Sequence, residues 1–250
     1  MDKAVIPKIC HFIWTRGVPM SWLQTLSVKS FRKYNPDWKI ILHLISQSRG
    51  KNVYNAEYSG PDNYTQMLIF IDEVRIARAT DLHGIQESDK LRTRILYQEG
   101  GVYSDFDMLW LRAMSGFPGD FETTVCWHLD HYNMSNIVSE PGGKFLEEII
   151  EKQERVTSRD YQAYLTQLFN TSYPDVTELT DRFPRIRLIP YKWFYPYSIY
   201  HLEQLYNDDI DLTAGAFGVH WFNGHRLSQD YLINRKDCSM TTILKNEGWL

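Results

Sequence analysis

The chain opens with a strand, a helix and a second strand in close succession, and this order restricts the fold more than any other feature. Val5 to Trp14 reads as a strand whose apolar positions Ile9, Phe12, Ile13 and Trp14 gather at its end, before Gly17 and Pro19 break it. Ser21 to Tyr34 has helical spacing and stops at Asn35-Pro36, because the residue before proline disfavours helical backbone. Trp38 to Ile45 reads as the second strand. A strand, a helical crossover and another strand predict a parallel pair in an α/β domain.

The pattern continues less regularly. Residues 46–66 hold Ser, Gly, Asn and Pro and read as a loop, and Asp72 to Thr80 reads as a helix. Ser88 is placed to cap a helix with apolar Leu91, Ile95 and Leu96, which Gly100-Gly101 ends. Val102-Tyr103-Ser104 begins a strand, with Asp105-Phe106-Asp107 at or just past its end. Thr123 to Trp127, Ser135 to Ser139, Ile186 to Ile189 and Phe217 to Trp221 read as short strands; Lys144 to Val156 and Asp160 to Phe169 read as helices. The mixed order argues for an α/β sandwich over all 250 residues, with no repeat and no clear linker.

Composition excludes several classes. A formal charge of −4 gives no field that would favour nucleic acid. The three cysteines Cys10, Cys126 and Cys238 lie far apart with no CxxC spacing, which argues against a cysteine zinc site and for reduced thiols. No apolar run approaches the roughly 18 residues needed to span a bilayer. The expected location is the cytoplasm, with membrane contact limited to the surface. Aromatic residues are 14% of the chain, enough to serve both a ring-rich core and stacking on sugars or bases.

Asp105 and Asp107, one residue apart on extended backbone, would point to one side and share one divalent cation. The pair alone says little, because Asp209-Ile210-Asp211 repeats it after Asn207-Asp208 and reads as a solvated turn. What distinguishes the first copy is its surroundings. Asp89 and Arg92 are three apart, so they share a helix face just upstream.

Together, Ser88-Asp89-x-x-Arg92 and Gly100-Gly101-Val102-Tyr103-x-Asp105-x-Asp107 resemble the signature of the DXD sugar-binding glycosyltransferases. That family includes yeast initiation-type mannosyltransferases, bacterial capsule transferases and the glucosylating domains of clostridial toxins. Ile6-Pro7-Lys8-Ile9-Cys10-His11-Phe12-Ile13-Trp14 is similar to the family's opening strand, and Asn35-Pro36-Asp37-Trp38 to the start of its second. The resemblance covers about the first 112 residues well. It implies a GT-A fold, a Rossmann-like mixed sheet flanked by helices, with residues 1–112 as the nucleotide-sugar half and 113–250 as the acceptor half. It implies retaining transfer of a hexose from a nucleotide-sugar, with UDP-glucose and UDP-galactose as candidates, to a glycan, glycolipid or protein, with Mn²⁺ or Mg²⁺.

Carried over by position, Phe12, Ile13 and Trp14 would hold the nucleobase, with Trp14 either stacking on it or serving as a core ring. Ser88, Asp89 and Arg92 would face the donor sugar, and Tyr103 the diphosphate. Asp105 would contact ribose, sugar or metal, and Asp107 would bind the metal. Related transferases often carry a histidine before an aromatic and a glycine near the C-terminus. His220 is the matching third metal ligand, with Gly224 and His225 beside the diphosphate. The family often has Ser-Trp where this chain has His225-Arg226, so Arg226 is an alternative source of positive charge. His128, Asp130 and His131 form a second cluster, with little to support a metal there. The rival readings are a DxD phosphatase with Asp105 as nucleophile and Asp107 as general acid, and a glycan-binding module without turnover.

Overall fold

A computed structural model describes residues 6–46, 58–78, 84–117, 119–128, 131–133, 135–156 and 176–250. Strand β1 (Ile9–Thr15) and strand β2 (Lys39–Ile45) pair in parallel across helix α1 (Trp22–Tyr34). Ser21 caps α1: its hydroxyl accepts the amide of Gln24, whose side chain accepts the amide of Ser21 in return. The C-terminal cap is Asn35, whose side-chain oxygen also accepts the Met114 amide. The strand β1 expectation holds from Ile9 onward.

Helix α2 (Tyr64–Leu68) lies partly in the segment expected to be loop. The helix expected over Asp72 to Thr80 is instead strand β3 (Glu73–Ala77), parallel to β2 at the edge of the sheet. Local composition was ambiguous there. Backbone pairing decided it, and Asp72 reinforces that pairing by accepting the Ile40 amide and the Arg32 guanidinium. Helix α3 (Gly84–Glu99) begins before Ser88, so Ser88 is an interior residue and does not cap it. The helix expected over Asp160 to Phe169 and Asp130 of the second cluster lie outside the described residues.

Strand β4 (Gly101–Ser104) returns to the other side of β1, in parallel. Gly100 and Gly101 are required here: both have positive φ, and a Cβ on Gly101 would lie 2.4 Å from the Ile9 carbonyl oxygen. Strand β5 (Met108–Trp110) follows, then β6 (Thr123–His128), β7 (His131–Asn133), β8 (Asn136–Ser139), helix α4 (Lys144–Arg155) and β9 (Ile186–Ile189). The main sheet runs β3-β2-β1-β4-β8-β6-β7, with β9 paired in parallel to β6 and antiparallel pairing at β4–β8 and β6–β7. Strand β10 (Gly218–His220) forms a separate antiparallel ladder with β5.

Apolar residues fill both faces of the sheet. Phe12, Ile40, Leu42 and Val102 pack with Val28 and Phe31 of α1 and with Trp110. Ile13, Tyr103 and Ile137 pack on the other face with Ile95 and Leu96 of α3 and Leu146 and Ile149 of α4. Chain order reverses at β1, which has β2 on one side and β4 on the other. In open α/β sheets the crevice at the carboxyl ends of such strands is where ligands bind.

Candidate active site

The DXD residues lie between β4 and β5. They form a turn and are not on extended backbone as expected. Tyr103 and Asp105 project to the α3 side of β4, where the Tyr103 hydroxyl donates to Asp105 Oδ1 at 2.5 Å. Arg92, 4% exposed, lies 4.4 Å from the Tyr103 ring centre. Its Nη2 reaches Asp89 Oδ1 at 3.0 Å and Asp105 Oδ1 at 3.4 Å. One guanidinium therefore ties the helix face read from sequence to the acidic turn.

Asp107 lies beside the β5–β10 ladder. His220 pairs with Met108 in that ladder, the residue next to Asp107. Its Nε2 lies 3.1 Å from Asp107 Oδ1, and the Asn223 amide donates to Asp107 Oδ2 at 2.9 Å. Gly218 permits the close ladder, since a Cβ there would lie 2.6 Å from the Met108 sulfur. Phe222, between His220 and Asn223, has φ of 52°, a left-handed conformation costing about 1–3 kcal/mol in a non-glycine residue. Its ring contacts His220 edge-on at 4.4 Å.

These contacts set the charges. Burial pushes the Asp105 carboxyl up; Arg92 opposes this, Asp107 adds to it, and the result is above the usual range. Burial also pushes Asp107 up, but His220 and the Asn223 amide prevail and hold it below its ordinary value. Burial pushes His220 down, yet the charge on Asp107 outweighs this and raises it.

Asp105, Asp107 and His220 offer ligand atoms that all lie within 4.8 Å of one another. Two carboxylates and an imidazole suit Mn²⁺ somewhat better than Mg²⁺, which prefers oxygen donors. The residues therefore fit a divalent cation. The Nδ1 atom of His220 is buried without a hydrogen-bond partner.

The cavity beside this cluster has a volume of about 340 Å³, within the range of small-ligand sites. Ile13, Trp14, Ser88, Arg92, Tyr103, Asp105, Asp107, His220, Gly224 and His225 all line it. Asp89 does not, and pairs with Arg92, which does. Phe12 is fully buried and outside the lining; it packs on Phe106 at 5.0 Å, beneath the turn. Trp14 lines the cavity and is also a core ring: it meets Phe106 edge-on and its Nε1 donates to the Val18 carbonyl. His225 caps the helix Arg226–Ile233, its Nδ1 accepting the Leu227 amide. Arg226 is exposed on the first turn of that helix.

Sequence reasoning missed Gln24, Ser135, Ile199, Phe222 and Asn223, which also line the cavity. Only Asn223, in the Trp221-Phe222-Asn223-Gly224 run, had a signal, and its contact is through the backbone. The second acidic pair is solvent-exposed as expected, in a segment without regular structure, with Asp211 accepting from Thr213.

Residues 21–125 match the sequence family described as the glycosyltransferase sugar-binding region containing a DXD motif. Inositol phosphoceramide mannosyltransferase 2 of Schizosaccharomyces pombe is 28% identical over 189 residues. That match covers 73% of this chain and 48% of the relative, so the chain spans about half the length of the curated relative. The glycosyltransferase GlyE of Streptococcus pneumoniae superposes with a TM-score of 0.51 at 13% identity, over 98% of this chain and 61% of that one. The expected GT-A fold is borne out.

Proposed function

We propose that this chain is a retaining glycosyltransferase of the DXD kind, moving a hexose from a nucleotide-sugar to a hydroxyl acceptor, a reading supported by the match of residues 21–125 to the DXD sugar-binding region. One observation carries the reading. Arg92, Tyr103, Asp105, Asp107 and His220 converge on a single cavity at the sheet's switch point, with Asp89 paired to Arg92 behind it.

In this reading Arg92, held by Asp89, and Asp105 orient the donor sugar. Ile13 and Trp14 border the nucleobase, and the β10 loop through Gly224 and His225 borders the diphosphate. Asp105, Asp107 and His220 would hold the cation, which supplies positive charge where the nucleoside diphosphate departs. The bond from the anomeric carbon to the diphosphate breaks, and the acceptor oxygen bonds the same carbon from the same face. The acceptor's proton passes to the departing phosphate oxygen. A double displacement needs a free carboxylate on the opposite face. Among the described lining residues the carboxylates are Asp105 and Asp107, and both are engaged. This favours front-face substitution.

A UDP-sugar is the favoured donor, and GDP-mannose belongs beside it in any test because the fission-yeast relative is a mannosyltransferase. A glycan, a glycolipid and a protein are the candidate acceptors; among the described residues, no helix is long and apolar enough to cross a membrane. The test measures nucleoside diphosphate release from a panel of UDP- and GDP-sugars with Mn²⁺, with Mg²⁺ and with chelator. Release with at least one donor and its loss by about a hundredfold in Asp107→Asn are expected, the size seen when charge stabilisation is removed from such sites. No release from any donor under any condition would refute the proposal.

A further inference from the structure

The metal reading leaves open what keeps Asp105 and Asp107 at the right separation, since a turn between two short strands is not rigid by itself. Each carbonyl of the turn is held by a different group. Ser104 Oγ donates to the Asp105 carbonyl at 3.2 Å, Ser27 Oγ donates to the Phe106 carbonyl at 2.5 Å, and the Trp221 amide donates to the Asp107 carbonyl at 2.9 Å. The Asp105 amide in turn donates to the Ser135 carbonyl. Of these holds, Ser27 is the one made by a side chain from a distant element.

Ser27 lies in the middle of α1 and is fully buried. A helical serine ordinarily turns its hydroxyl back to a carbonyl of the preceding turn. Ser30 does this, donating to the Ser27 carbonyl. Ser27 instead reaches across to the residue between the two aspartates. The Phe106 ring is fixed on its other sides by Phe12 and Trp14, each 5.0 Å away. Ser30 also faces this region, but its oxygen accepts the Trp110 amide beyond the acidic turn.

We propose that Ser27 is a positioning residue for the metal site: its hydroxyl fixes the Phe106 peptide and thereby the spread of the Asp105 and Asp107 carboxylates. The inference rests on the metal reading above. Groups that orient metal ligands without touching the metal typically change affinity by tenfold or more when removed.

The test is direct Mn²⁺ titration, followed by the electron paramagnetic resonance of free Mn²⁺, with and without UDP, on the full chain. Wild type should bind, and Asp107→Asn should not. Ser27→Ala should bind Mn²⁺ about tenfold more weakly. Ser30→Ala, which removes an equally buried hydroxyl from the same helix, should keep wild-type affinity within about twofold while losing comparable thermal stability. Ser27→Cys keeps the side-chain volume with a weaker donor, and carries the test if the alanine variant does not fold; its affinity should fall between the two. Wild-type Mn²⁺ affinity in Ser27→Ala or Ser27→Cys, or equal weakening in Ser30→Ala, overturns the positioning role and leaves the metal reading intact. Absence of binding in wild type overturns both.

Discussion

Two histidines on adjacent strands make the central sheet sensitive to acid. His11 on β1 and His43 on β2 are both buried, with His11 Nδ1 3.1 Å from His43 Nε2 and His11 Nε2 3.1 Å from the Gly100 carbonyl oxygen. A carbonyl only accepts, so His11 Nε2 carries a proton, and its Nδ1 accepts from His43 Nε2. Both rings are then neutral. Burial lowers both from 6.5 to about 4, with Arg75 helping and Glu73 and Glu99 opposing. Because the folded values lie below the unfolded one, the unfolded chain binds more protons in this window. Stability is therefore fully present above about pH 6.5 and is lost as pH falls towards 4. At about pH 5 each ring costs about 2 kcal/mol, and two independent rings about 4 kcal/mol. The assay is urea unfolding at about pH 7.5 and pH 5, comparing wild type with the His11→Gln/His43→Gln double variant. Stopping at pH 5 keeps most carboxylate titration out of the window, and the opposite contribution of His220 cancels between the two proteins. Wild type should lose about 4 kcal/mol more than the variant over the step. A difference below about 1 kcal/mol would refute the reasoning.

Other consequences follow from single contacts. Arg92→Lys keeps the charge but loses the planar fork between Asp89 and Asp105 and the stack on Tyr103, so donor turnover should fall about tenfold or more with the fold retained by circular dichroism. Gly101→Ala should cost well over about 2 kcal/mol in chemical denaturation, because its φ is 95° and its Cβ would strike the Ile9 carbonyl; Gly215→Ala, at φ of 83° with open space around it, should cost only about 1 kcal/mol. Trp14→Leu separates the two roles of that ring: UDP affinity should fall several-fold by calorimetry if it borders the base, and stability should fall by about 2 kcal/mol because the edge contact with Phe106 is lost as well.

The parts of this chain that were legible in advance are those where local chemistry and tertiary need coincide. Ser21 and Gln24 form the capping box that their spacing permits, and Gly100-Gly101 take backbone angles that other residues resist. Asp72 to Thr80 was misread because Glu73, Arg75 and Arg78 interrupt the apolar positions, and an edge strand leaves Val74 and Ile76 exposed. The alternation Glu73-Val74-Arg75-Ile76 is a strand pattern, and the hydrogen bonds to β2 realise it. Ser88 was misread as a cap because α3 starts a turn earlier, at Gly84.

The same distinction explains the site. The side chains proposed to meet the ligand were visible because their residue types are demanded by chemistry: Arg92, Asp105, Asp107 and His220. The groups that aim them were invisible because they act through the backbone or through ordinary serines. Asp107 is held by the amides of Asn223 and Trp221, and any residue but proline could supply such an amide. Ser27 looks like one more polar residue in an amphipathic helix until its carbonyl partner is known. A sequence therefore reveals the donors of a metal site more readily than their spacing. In the reading proposed above, that spacing depends on α1, β4 and the β5–β10 ladder meeting at one turn, so a substitution in any of the three would disable the proposed cation site while every ligand residue remains in place.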